Sequence, residues 1–132
     1  MPSAAPHLMA SAVVLDPTGH RTLLVQVGEY RRWGLVGGHV EGGEPLTEAV
    51  RRELRGQTGM LTFRVLEPHL GVEQDILDCG HGEVRHVDHV FAVMAEETSD
   101  ADLTWFDVTD LPDPLVPGVR MHIHAGQKAV AG

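Results

Sequence analysis

GGHVEGGEPLTEAVRRELRGQTGM, residues 37 to 60, runs a glycine-rich bend directly into a segment with helical periodicity. Gly37, Gly38, Gly42 and Gly43 permit tight backbone paths and close approach to a ligand, and Pro45 suits a first helical position. The helix is therefore expected to begin near Glu44. Leu46, Val50 and Leu54 recur every fourth residue and form one apolar stripe, with Ala49, Arg52, Glu53 and Gly56 on an adjacent face. Glu48 and Arg52 can pair across one turn, and Gly59 suits the left-handed residue that ends a helix. These signals predict a helix of roughly fourteen residues with both ends punctuated.

Gly38, Glu44, Arg52-Glu53-Leu54 and Gly59-Met60 stand at the spacing G-x5-E-x7-R-E-U-x-E-E-x-G-U, with U aliphatic, and so resemble the Nudix box. The two positions that depart are Gly56 and Gln57, where the family has glutamates. In that family the helix presents carboxylates three and four residues apart, on one helical face, that hold a divalent ion against a substrate diphosphate. Mg2+ wants oxygen ligands, keeps several waters and neutralises a phosphoanhydride as water attacks phosphorus. Of that carboxylate trio this chain retains Glu53. Gln57 can offer a neutral carbonyl oxygen, and Gly56 offers no side chain while costing the helix about 1 kcal/mol relative to Ala.

The chain has 132 residues, enough for one domain with a real core and expected to be a single unit, 1–132. Hydrophobic residues make up 42%, as in soluble globular proteins. Ten Lys plus Arg against nineteen Asp plus Glu give a net charge of −9, which argues against a nucleic-acid surface. A phosphorylated substrate would then need a local positive group, an arginine or a metal, to offset the overall field. One cysteine, Cys79, rules out an intrachain disulfide framework and fits a reducing compartment. With no signal-peptide pattern and no apolar run of spanning length, the expected location is cytoplasmic, without membrane contact.

Outward from the box, Leu8 to Asp16 and Leu23 to Val27 are apolar runs separated by Pro17-Thr18-Gly19 and predict a hairpin. Gly28 to Arg32 is a polar loop, and Trp33 to Val36 a short strand entering the glycine bend. Arg31 and Arg32 could hold a phosphate bidentately or lie solvated in their loop. After the helix come expected strands at Leu61 to Leu66, Val72 to Leu77 and His86 to Ala95, with a turn at Cys79 to Gly82. The last of these strands is apolar on both faces and suits the centre of a sheet. His81, His86 and His89 match no zinc spacing, and His86 and His89 point to opposite faces, so polar lining or a satisfied buried imidazole is the reading preferred. Leu103 to Val108 reads as a strand carrying a core Trp105. From Val119 the chain can form a helix, with His122 and His124 expected at the surface.

Strands alternating with one strong and one weaker helix predict an α/β protein with a mixed sheet between helices. The resemblance implies the same, a Nudix-like α/β/α sandwich whose loop and helix form one wall of a groove. It further implies hydrolysis of a nucleoside diphosphate linked to another moiety, with Mg2+ or Mn2+ weakly held. Glu53, Arg52 and Glu44 are the expected catalytic residues, Glu53 as metal ligand or base and Arg52 as its orienter. Arg31, Arg32, Gly38 and His39 are the expected substrate contacts; Gly37, Glu53, Gln57 and, from the acidic loop, Glu97 are the expected metal ligands. A homodimer is compatible with the sequence. The alternatives are a Nudix-fold nucleotide-binding module that has lost turnover, a prenyl-diphosphate type isomerase, for which Cys79 lacks an acid–base companion, and a structural partner in an assembly.

Overall fold

A computed structural model describes residues 5–78, 82–96 and 104–132. In chain order the elements are β1 (His7–Leu15), β2 (Arg21–Leu23), β3 (Val25–Val27), β4 (Arg32–Gly34), β5 (Val36–His39), α1 (Leu46–Thr58), β6 (Phe63–Val65), β7 (Gly71–Asp78), β8 (Glu83–Ala95), β9 (Trp105–Asp107) and α2 (Val119–Ala131). Seven strands form one mixed sheet in the order β6-β8-β1-β2-β9, with β5 also pairing β1 and β7 also pairing β8; β3 and β4 form a separate hairpin. The long β1–β8 pairing is parallel, from His7 opposite His86 to Leu15 opposite Met94.

These two strands are central because their sequences are apolar on both faces. Strand alternation sends Ala10, Ala12 and Val14 of β1, with Phe91, Val93 and Ala95 of β8, into one core with Val50 and Leu54 of α1. Val13, Leu15 and Val90 go to the opposite core with Val119 and Ile123 of α2. A helix thus covers each face, as the α/β/α expectation requires. Gly126 lets α2 lie close, since a Cβ there would come within 2.8 Å of Val13 Cγ1. Trp105 is half-buried and packs on the α1 core, as expected.

Several boundaries differ from the sequence reading, each for a local reason. Pro45 is extended, at φ −61° and ψ 145°, so it precedes the first helical residue, Leu46. Gly59 does close the helix at φ 74°, its N–H donating to the Arg55 carbonyl. Arg51, not Arg52, pairs with Glu48, at 3.1 Å, because Arg52 is drawn elsewhere. Gly37 and Gly38 lie in β5, opposite Ser11 and Ala10, so the bend proper begins only after His39. The run Leu23 to Val27 breaks at Leu24, whose fully buried side chain joins the α2 core and whose N–H donates to the Thr104 carbonyl. One half of that run then serves the main sheet and the other the small hairpin. His122 is buried and bonded to Glu73 at 2.9 Å, against the expectation of a surface group, whereas His124 is exposed. Cys79, His81 and Glu97 lie outside the described residues. Among the described residues, no helix is long and apolar enough to cross a membrane.

Leu54→Ala removes a fully buried side chain from the α1 core and is expected to lower unfolding free energy by about 2–5 kcal/mol. Gly56→Ala, whose new Cβ meets nothing within 4 Å, should raise it by about 1 kcal/mol. Urea denaturation of the two variants against the parent checks both signs.

Candidate active site

Arg52 is the hub of the loop–helix junction. Its Nε and Nη2 donate to Glu44 at 2.9 and 3.0 Å, a bidentate grip across the bend, and Nη2 also donates to the His39 carbonyl at 2.9 Å. Nη1 donates to Glu53 Oε1 at 2.9 Å. Glu44 in turn accepts the Glu41 N–H at 3.1 Å, which ties the bend to the helix start. Glu41 stands 3.8 Å from Arg52 Nη1. Three carboxylates around one guanidinium leave the cluster with net negative charge, suited to attract a cation.

The bond from Arg52, reinforced by the Glu41 N–H, holds the Glu44 carboxyl below its ordinary range. Glu44 in return raises the already high pKa of Arg52. The pair is therefore charged throughout the physiological range and acts as a rigid mount.

The other oxygen of Glu53 accepts from Gln57 Nε2, and the same nitrogen donates to the Gly37 carbonyl at 2.8 Å. A neutral amide thus bridges the two groups expected to hold a metal. Its orientation follows from its neighbours: turned over, Gln57 Oε1 would face two other acceptors. That turned-over arrangement is also the one a hard cation requires, with oxygens of Glu53, Gly37 and Gln57 converging. Mg2+ is commonly held by one or two carboxylates together with waters and substrate phosphates, so this donor set fits an ion that arrives with a phosphorylated ligand. Gln57, expected as an oxygen ligand, presents its nitrogen to both groups.

The two glycines of β5 make this geometry possible. A Cβ at Gly38 would come within 2.6 Å of Glu53 Oε1, so Gly38 is the floor under the carboxylate. A Cβ at Gly37 would press on Ser11 and come within 2.6 Å of the Ala10 carbonyl, on the opposite face. A cleft of about 610 Å³ lies beside the bend, lined among others by His7, His39, Glu41, Glu44 and Pro45. A smaller one, about 190 Å³, lies between Gln57 and Thr58 of α1 and Gln26 and Trp33 of the β3–β4 hairpin. Arg31, at φ 50°, and Arg32, whose guanidinium lies 5.6 Å from the Tyr30 ring centroid, are exposed at the turn of that hairpin. They belong to the hairpin that flanks the smaller cleft. His7, which the sequence reading did not single out, lies at the cleft because β1 starts beside the end of β5. A signal for it would have required the strand register.

The sequence model of the NUDIX domain matches residues 5–124. No curated protein sequence matches the chain. Among solved structures, a MutT NUDIX hydrolase from Burkholderia pseudomallei is similar at 28% identity and TM-score 0.69, covering 92% of this chain and 98% of that one. A NUDIX-family hydrolase from Clostridium perfringens is similar at 15% identity and TM-score 0.78, covering 96% and 99%. An Ap4A hydrolase from C. elegans is similar at 16% identity and TM-score 0.68, covering 97% and 100%. The last two likenesses speak for the fold alone.

Gly37→Ala, which must displace the β1 backbone, is expected to cost about 1–3 kcal/mol of stability. Gly38→Ala should cost less, since what moves is the end of the Glu53 side chain; equilibrium unfolding ranks the two. The depressed Glu44 pKa also has a pH signature. A carboxyl more acidic when folded stabilises above its unfolded pKa, and that contribution disappears as pH falls through the folded value. Acid titration of Glu44→Gln should accordingly show a shallower stability loss below the ordinary carboxylate range than the parent.

Proposed function

The chain belongs to the Nudix family, and on that premise we propose that it hydrolyses the phosphoanhydride of a nucleoside diphosphate linked to another moiety, with metal binding weakened by the loss of two carboxylates. The observation that carries this reading is the convergence of Glu53, the Gly37 carbonyl and the Gln57 side chain beside the smaller cleft, with Arg52, itself anchored by Glu44, holding Glu53 in place.

In this reading Glu53 takes the proton of the attacking water or ligates the ion, and Arg52 sets the direction of its carboxylate. Glu44 acts through Arg52 as a positioning residue. A bound Mg2+ or Mn2+ would neutralise the developing charge on the phosphoryl oxygens. Gln57 must turn its amide over to admit such an ion, exchanging two hydrogen bonds for one neutral oxygen ligand. Gly38 gives Glu53 room, and His39 borders the larger cleft on the substrate side. Arg31 and Arg32 supply positive charge for a phosphate in a protein whose net charge is −9. Glu97 is proposed as a further metal ligand and lies outside the described residues. A dinucleoside polyphosphate, as its name gives for the C. elegans neighbour, is one substrate of the required class.

The Gln57 bridge also favours a second reading, a nucleotide-binding module without turnover, because the amide already satisfies the oxygens that a metal would need. Incubating the purified chain with nucleoside diphosphate derivatives, with and without Mg2+ or Mn2+, separates the two. Metal-dependent release of nucleoside monophosphate, abolished in Glu53→Gln, is the expected outcome; nucleotide binding without release would instead support the module. Restoring the missing acids by Gly56→Glu with Gln57→Glu should tighten divalent-metal affinity by about tenfold or more, roughly 1.4 kcal/mol. A folded double variant with unchanged affinity and activity would overturn the assignment of this helix face to metal.

A further inference from the structure

Three histidines that are far apart in sequence meet on the sheet face opposite Glu53. His7 pairs directly with His86 in the parallel β1–β8 ladder, and Met9, two residues on, pairs with His39 of β5. By strand alternation the three side chains share one face of three adjacent strands. Gly38, next to His39, faces the other way, toward Glu53. The three imidazoles thus lie on the other face of β5 from Glu53, in a cleft that also reaches Glu41 and Glu44 of the Arg52 network.

We propose that His7, His39 and His86 form a binding site for a borderline divalent transition ion, Zn2+ in the first instance. Their candidate ligand atoms all lie within 4.8 Å of one another. His39 Nε2 and His86 Nε2 are 3.4 Å apart, long for a hydrogen bond. Two nitrogens bound to one tetrahedral ion at 2.0–2.1 Å stand about 3.3 Å apart, so this pair is already at ligand spacing. The rings are mutually tilted, with centroids 5.0 to 5.4 Å apart and interplanar angles of 60° to 80°, so that edges rather than faces meet.

The second observation is the state of His86, which is buried. Its Nδ1 lies 2.8 Å from the Val84 carbonyl. A carbonyl can only accept, so Nδ1 carries the hydrogen and a neutral ring bears its lone pair on Nε2, toward His39. Backbone carbonyls set the tautomer of metal-ligating histidines in this same way. Imidazole suits zinc and its neighbours in the transition series, whereas Mg2+ prefers oxygen, so the two sites of this protein would sort different ions. His86 is buried, His7 half-buried and His39 exposed, so the three rings run from the sheet interior to the cleft.

The test uses the untagged chain freed of metal with a chelator, titrated calorimetrically with Zn2+ and separately with Mg2+. One equivalent of Zn2+ per chain is expected, retained in Glu53→Gln and lost in His39→Ala and in His86→Ala, with Mg2+ giving no heat that depends on these histidines. Co2+ should give the visible absorption of a tetrahedral, nitrogen-liganded ion, absent in the same two variants. His39 is exposed, so His39→Ala reports on binding even if His86→Ala does not fold. No zinc binding at micromolar concentration by the parent, or one equivalent persisting in His39→Ala, would overturn the site. Loss of zinc in Glu53→Gln with retention in the histidine variants would place the ion in the nucleotide site instead.

Discussion

The grip of Arg52 on its surroundings is the contact through which the strand, the bend and the helix become one site. A guanidinium is permanently charged and planar, so it can bind several acceptors in fixed directions at once. Here it spans the Glu44 carboxylate in the bend, the His39 carbonyl at the end of β5 and the neighbouring Glu53 on α1. Because Arg52 is partly exposed, its worth is geometric more than energetic. Lysine, whose three N–H donors converge on one nitrogen, could not make these four bonds. The stability of the junction comes from beneath it, where Val50 and Leu54 of the helix are buried against β1 and β8.

From that mount the chemistry of Glu53 follows. One of its oxygens is held by Arg52 and the other by Gln57, so the carboxylate is oriented on both sides before any ligand arrives. Gly56 and Gln57, where the family has glutamates, bring no charge, and the direction of Glu53 is set here by Arg52 and Gln57. Gln57 Nε2 donates to both Glu53 and the Gly37 carbonyl. The same β5 strand that presents Gly37 and Gly38 to this network carries His39 to the other face. Two donor sets of different chemistry, one of oxygens and one of imidazoles, therefore stand on opposite sides of a single strand.

Much of this was legible in the residues. The 38–60 motif, the four-residue apolar stripe of α1, the Gly59 cap and the two-sided apolarity of β8 are local patterns, and local patterns survive into the structure because each reflects a short-range constraint. The boundaries were less legible where one run serves two sheets, as at Leu24, or where glycine belongs to a strand because of what it packs against, as at Gly37 and Gly38. The surface reading of His122 failed because its partner, Glu73, lies on a distant strand. His86 was read as a buried or lining imidazole, and burial is what the structure shows; its companions, His7 and His39, come from other strands.

The amino-acid order by itself determined the family, the sandwich of mixed sheet and helices, and which acid of the family's helix trio, Glu53, this chain keeps. These depend on spacing along the chain, which helical and strand periodicity convert directly into faces. Tertiary structure alone decided which way the Gln57 amide points, that Arg52 prefers the bend to Glu48, and that three histidines from separate strands share one face. Each of those depends on the register of strands and on the competition among partners distant in sequence, and neither quantity is encoded in any local stretch.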